Sequence, residues 1–255
     1  MSADLATTFR TDGVVVLRSA FDDGEAAFLR EQVWRHIERD TAVRLKDPRS
    51  WASETNFGLR AVESRGIWHA VHSNPAVVEA LDQVFGPNQW VQHGPPQILL
   101  TFPSPSPWRS PSGWHIDFGW DLPTWPVYAV KMFALLDRVE PGGGGTLLLR
   151  GSHQLMERLR VVHGHPVDPW DKSAAPFATG SYMARLLAGG GNDDLIGVSA
   201  EVEGVQVCPV EVTGEPGDIF LTHMQVFHSP SPNVSSHPRQ MIGNAFCRVG
   251  FSAGA

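Results

Sequence analysis

His115 and Asp117 flank a single residue in the segment Ser112-Gly-Trp-His-Ile-Asp-Phe-Gly119, with His228 far downstream and Arg239 eleven residues after it. Successive side chains on an extended strand point to opposite faces, so residues 115 and 117 project the same way and can share one metal ion. Two imidazoles and one carboxylate are the protein donors of a facial triad. Such a triad holds Fe(II) on one face and leaves the opposite positions open for a cosubstrate and O₂. A His-x-Asp on its own arises often by chance, so the weight rests on what accompanies it.

The elements around these residues follow from patterning. Residues 13–17 read as a short buried strand. Asp22 predicts a helix cap, with Glu25 completing a capping box, and Phe28, Leu29, Val33, Trp34 and Ile37 fall at helical spacing to about residue 39. A second helix is expected to start at Asn74-Pro75, carry Val77, Val78, Leu81 and Val84, and stop at Gly86-Pro87. Strands are then expected at 90–93, 97–102, 127–136, 146–149, 205–212, 218–221 and 240–249. Helices followed by many strands predict a mainly-β, double-sheet fold with helices packed outside one sheet. The proline-rich stretch 103–111 cannot pair in a central strand, and 161–200 reads as a long binding loop or lid with one short helix near 181–187.

The chain has 255 residues, 42% of them hydrophobic and 18% charged, enough to bury a sizeable core in a single domain. The expected division is a helical flank over about 1–87 and a β-core over about 88–250. A net charge of −7 with no basic run argues against nucleic-acid or membrane-surface partners. Cys208 and Cys247 form no metal-binding pattern and read as free thiols of a cytoplasmic protein. The first ten residues lack the apolar core of a signal peptide, and the longest apolar run, 127–136, is interrupted by Lys131 and too short to span a bilayer. Oligomeric state leaves no mark on the sequence.

Two further segments accompany the triad: Gly142-Gly-Gly-Gly-Thr-Leu-Leu-Leu-Arg-Gly-Ser-His153, and Gly217-Asp-Ile-Phe-Leu-Thr-His-Met-Gln-Val-Phe-His-Ser-Pro-Ser-Pro-Asn-Val-Ser235 ahead of Arg239. Together with the Trp-His-x-Asp segment, in this order, they resemble the phytanoyl-CoA dioxygenase-like family of Fe(II)- and 2-oxoglutarate-dependent dioxygenases. The resemblance spans roughly residues 10–250. It implies a double-stranded β-helix (a cupin-like jelly roll) in which His115, Asp117 and His228 bind iron and Arg239 binds the distal carboxylate of 2-oxoglutarate. A guanidinium suits that task because its planar fork matches a carboxylate bidentately. The chain to Arg239 is long enough to turn and place it on the strand neighbouring His228.

By the same resemblance Thr146 and Gln97 sit where polar contacts to the cosubstrate arise, although a β-branched strand residue and a hydrogen-bonded core amide are their plainer readings. Phe118 and Trp120, just past Asp117, are placed to meet substrate, and Trp108, Trp114, Trp120 and Trp125 suggest an aromatic-walled pocket. The implied reaction is hydroxylation of an unactivated C–H of a small metabolite, a natural-product intermediate or an amino acid, with release of succinate and CO₂. Desaturation, cyclisation or epimerisation by the same centre stay open, while a carboxylate at 117 disfavours halogenation. The contrasting class is a non-catalytic metal-binding jelly roll, which has no need of Arg239.

The other histidines and cations have plainer readings. His223, five residues before His228, faces the other way on a regular strand and reads as a packing residue. His153 reads as structural, His163, His165 and Asp168 as chance neighbours, and His69 and His72 as contacts to solvent or backbone. Ser152 and Ser229 adjoin histidines without a nucleophile-elbow pattern, which argues against hydrolysis. Arg60, Arg65, Arg109 and Lys131 are candidate partners for a substrate carboxylate, each read first as a surface charge or a structural pair.

Overall fold

The computed structural model describes residues 5–53, 69–117, 119–168 and 175–251. The first helix, α1 (Leu5–Asp12), was not expected; it holds one buried apolar residue, Phe9, which leaves little periodicity to read. Strand β1 (Val14–Leu17) and helix α2 (Asp23–Asp40) follow as patterned. The capping box closes in both directions: Asp22 Oδ1 accepts from the Glu25 N–H at 2.8 Å, and Glu25 Oε2 accepts from the Asp22 N–H at 3.1 Å. A short α3 (His69–His72) precedes α4 (Pro75–Phe85), whose Asn74 cap accepts from the Ala76 N–H.

The strands are β2 (Trp90–Thr101), β3 (Ala129–Leu135), β4 (Thr146–Arg150), β5 (Ala200–Val202), β6 (Val205–Glu211), β7 (Ile219–His223), β8 (His228–Pro230) and β9 (Arg239–Arg248). All pair antiparallel, as a five-stranded sheet β1-β7-β3-β9-β2 and a four-stranded sheet β5-β6-β4-β8. Strand β1 is thus part of the main sheet, not of a purely helical flank. The two strands expected at 90–93 and 97–102 are one strand with a register shift between His93 and Gln97. Pro95 and Pro96 are tolerated there because β2 is an edge strand.

Alternation along each strand builds three layers. Phe133, Leu135, Phe220, Leu148 and Met241 fill the space between the sheets. Their neighbours Met132, Ala134, Ile219, Leu221 and Ile242 face outward and pack against Leu29, Val33, Ile37 and Leu81 of the helices. Helices also cover the second sheet, where only one covered sheet was expected. Leu147, Leu149 and Val207 bury against α5 (Ser152–His163) and α6 (Tyr182–Ala188). Helix α5 escaped the sequence because Gly151, its N-cap, makes no side-chain cap. The stretch 161–200 holds α6 as expected, and also 3-10 turns at Ala175–Phe177 and Asp193–Leu195, with β5 starting at its end.

Cys208 and Cys247 are free thiols in different sheets. Among the described residues no helix is long and apolar enough to cross a membrane. His72, expected at solvent or backbone, is instead buried, with its Nε2 3.0 Å from the Asn244 amide and its ring edge-on to Phe246. The side chain of His69 lies outside the described residues.

His223 and His153 form a buried pair with ring centroids 5.1 Å apart. His223 Nδ1 accepts from the Gln225 N–H at 3.1 Å, so its Nε2 carries the proton and donates to Thr124 O. Burial pushes the pKa of His153 down to about 4 and that of His223 down to about 3. Both stay neutral in the folded state, whereas an unfolded histidine takes up its proton near ~6.5. The unfolded chain therefore binds more protons in acid, and stability falls as pH drops from ~6.5 toward ~4. His223→Gln is expected to flatten the slope of unfolding free energy between pH 6 and 4 by about 1.4 kcal/mol per pH unit. Urea unfolding across that range measures it; an unchanged slope contradicts neutral burial.

Candidate metal centre

Residues 113–117 lie outside any regular strand, yet the chain there docks antiparallel on β8. The His115 N–H donates to His228 O at 2.8 Å and the His228 N–H returns to His115 O at 2.9 Å. This one bridge sets the two imidazoles 4.3 Å apart, centre to centre. Asp117 Oδ1 lies 3.4 Å from His115 Nε2 and 3.5 Å from His228 Nε2. Among the described residues these three side chains are the one grouping whose donor atoms all fall within 4.8 Å of one another.

Each imidazole is held from behind. His115 Nδ1 is 2.8 Å from Gly113 O and His228 Nδ1 is 3.1 Å from Val226 O. A carbonyl can only accept, so Nδ1 carries the proton in both rings and the Nε2 lone pairs face the shared point, the arrangement that orients histidine ligands of metals. Burial opposes ionisation of Asp117, but its pairing with the two imidazoles and the charge of Lys131 overcome it and hold the carboxyl well below the usual carboxylate range. The hydrogen bond to Asp117 raises the pKa of half-exposed His115, whereas burial lowers that of His228. Lys131 Nζ lies 2.5 Å from Asp117 Oδ2 and 3.2 Å from His228 Nε2. The two aspartate oxygens thus divide their work: Oδ1 faces the histidines and Oδ2 faces the lysine.

Arg239 opens β9 in the five-stranded sheet, so it meets His228 across the sandwich and not from the neighbouring strand. The guanidinium is buried, and burial lowers its pKa to about 10. Nε donates to Gly144 O, Nη1 to Leu99 O at 2.7 Å and Nη2 to the Thr101 hydroxyl. No carboxylate among the described residues pairs with it directly; Asp137 and Glu211 act only through their field. One N–H on each terminal nitrogen remains, the number a bidentate carboxylate uses. Arg239, His115, His228, Thr146 and Thr101 line one cavity of about 420 Å³.

The glycine- and asparagine-bearing motifs build this cavity's wall. Gly144 has a positive φ of 80°, and a Cβ there would lie 2.7 Å from Asn233 Cβ. Its carbonyl receives Arg239 while the Asn233 amide donates to Thr101 O and His237 O. Ser152 Oγ accepts from the Phe227 N–H at 3.0 Å, and His153 Nε2 donates to Arg10 O, so the Gly-Ser-His segment fixes the turn that delivers His228. His223 and His228 sit on separate strands joined by that turn, not on one strand with opposite facing.

Of the other expected site residues, Thr146 lines the Arg239 cavity. Gln97 does not. It is exposed and lines a second cavity of about 470 Å³ with Asp117, Lys131 and Asn244. Thr101, four residues along the same inward face of β2, lines the Arg239 cavity in its stead. Trp120 sits in a turn closed by the Leu122 N–H to Gly119 O, 36% exposed, and lines neither cavity. Phe118, Arg60 and Arg65 lie outside the described residues. Trp114 is core, and neither cavity has a tryptophan among its described lining residues. Arg109 pairs with Asp193. Lys131 is the residue undervalued by sequence reading, although a lone charge inside an apolar strand was its visible signal.

Fold and site together define a jelly-roll protein with a two-histidine-one-carboxylate centre. The profile of the phytanoyl-CoA dioxygenase (PhyH) family matches residues 9–241, and the chain belongs to that family of dioxygenases. Solved structures of similar fold include AviO1 from Streptomyces viridochromogenes Tue57, 17% identical with a TM-score of 0.62 over 100% of both chains. EctD from S. alaskensis with bound Fe is 20% identical, with a TM-score of 0.61 over 100% of this chain and 79% of that one. The epimerase SnoN in complex with Fe3+, alpha ketoglutarate and nogalamycin RO is 18% identical, with a TM-score of 0.60 over 95% of this chain and 82% of that one. No curated protein matches the sequence significantly.

The convergent donors predict one tight site for a divalent transition metal. His228→Ala is expected to weaken Mn(II) or Co(II) binding beyond the ~10–100-fold typical of losing an outer partner, while replacing His163 and His165 leaves it unchanged. Calorimetric titration decides; equal losses in both variants contradict the assignment.

Proposed function

We propose that this chain is a non-haem Fe(II)- and 2-oxoglutarate-dependent dioxygenase that hydroxylates an unactivated C–H of a small molecule, such as a natural-product intermediate or an amino acid. The observation that carries this reading is the buried, carboxylate-free guanidinium of Arg239 in the same cavity as His115 and His228. Leaving a cation buried without an anion is costly, so such a site is built for an anionic ligand.

His115, Asp117 and His228 would hold the iron through two nitrogens and one oxygen, a donor set that suits Fe(II) and leaves one face open. Arg239, with Thr101 beside it and Thr146 on the opposite wall, would hold the far carboxylate of 2-oxoglutarate. When bound, the iron and 2-oxoglutarate supply O₂ activation coupled to decarboxylation to succinate. The chain's own part is positional. The backbone carbonyls of Gly113 and Val226 fix the imidazoles, Arg239 sets the cosubstrate's direction, and the apolar side chains of Leu99 and Phe133 restrict water in that cavity. The second cavity, on the Asp117 side, is left for the substrate. Two free thiols support a reducing, cytoplasmic setting.

Anaerobic reconstitution with Fe(II) and 2-oxoglutarate followed by air is expected to yield succinate. Arg239→Met is expected to weaken 2-oxoglutarate binding by at least about 30-fold, the equivalent of ~2 kcal/mol for leaving a carboxylate without its charged partner. No succinate from the wild type, or unchanged binding in the variant, contradicts the proposal.

A further inference from the structure

Lys131 is the one described residue that lines both cavities. It projects inward from β3, a strand whose other six residues, Ala129, Val130, Met132, Phe133, Ala134 and Leu135, are all apolar and buried. A charge at such a position is expensive unless a partner or a function requires it. Its partners are Asp117 Oδ2, His228 Nε2 and the face of Phe133, 5.4 Å away.

An ammonium has three N–H donors and no lone pair. With a metal ion held at His228 Nε2, the lone pair that Lys131 faces would be taken and the ammonium would be repelled from that nitrogen. The ammonium then keeps Asp117 Oδ2 and has two donors to offer elsewhere. The Arg239 cavity already has its cation. The second cavity has no arginine and no other lysine among its described lining residues. The Asn244 amide is turned toward His72 and the Ala245 N–H. Gln97 keeps its amide open to the cavity, which at about 470 Å³ suits a small metabolite.

We propose that the second cavity takes a small substrate bearing a carboxylate, and that Lys131 is the specificity-determining counter-ion, with the Gln97 amide beside it. This rests on the dioxygenase reading above, because that reading places the substrate on the Asp117 side.

The test uses the full chain loaded anaerobically with Fe(II) and 2-oxoglutarate. Calorimetry compares a panel of amino acids and short-chain carboxylic acids with their carboxamides and methyl esters. At least one acid is expected to bind at least about tenfold more tightly than its neutral counterparts. Lys131→Met is expected to erase that preference while still taking up Fe(II) and 2-oxoglutarate, and Lys131→Arg to restore part of it. Acids and neutral analogues binding alike, no member of the panel binding, or Lys131→Met losing the iron or the cosubstrate instead, overturns the proposal. If the wild type itself takes up neither iron nor 2-oxoglutarate, the dioxygenase reading fails first; intact uptake without acid preference sinks only the substrate assignment.

Discussion

The reciprocal pair of backbone hydrogen bonds between His115 and His228 is the constraint on which the site depends. It joins an irregular segment to the shortest class of strand in the fold, and it makes residues 113 positions apart in the chain into neighbours. Once the two backbones are locked, side-chain direction follows: both imidazoles lean to one side and Asp117 comes round to meet them. The carbonyls behind each ring then leave Nε2 as the free donor. A carboxylate held ionised beside two lone pairs is a site short of one cation, and Lys131 only partly supplies it.

The scaffold's other polar devices all support this geometry from a distance. Ser152 ties down the turn before His228, and Asn233 spans from the β8–β9 connection to β2. Arg239 is oriented by two carbonyls and a hydroxyl from two separate segments, the glycine run before β4 and the end of β2. These are hydrogen bonds to neutral acceptors, two of them fixed backbone, which hold a buried guanidinium in place without neutralising it. Positive charge is thus delivered to two sides of the triad: Arg239 deep within one cavity, and Lys131 at the boundary between two.

What the sequence disclosed was what local chemistry encodes. The Asp22–Glu25 box and the Asn74-Pro75 start specify helix ends through contacts within three residues, and both helices fall where patterning placed them. His115, Asp117, His228 and Arg239 do come together at one site. What stayed hidden depended on long-range packing. Helix α5 starts from a left-handed glycine, and α1 buries too little apolar surface to show a period. Thr101 and Gln97 share one face of β2, and the register of β2 against β9, which sets Thr101 opposite Arg239 and Gln97 opposite Gly243, decides which of them Arg239 meets. Trp120 sits in a turn that spacing alone does not reveal. Lys131 looked like an interruption of an apolar run because its partners are 14 and 97 residues away.

The most direct test of the convergent site is anomalous diffraction from a crystal of the full chain soaked anaerobically in Fe(II). The structure requires a single strong peak bonded to His115 Nε2, Asp117 Oδ1 and His228 Nε2 together. A peak at the His163–His165 loop, or density touching only one of the three side chains, would show that these groups do not form a metal centre.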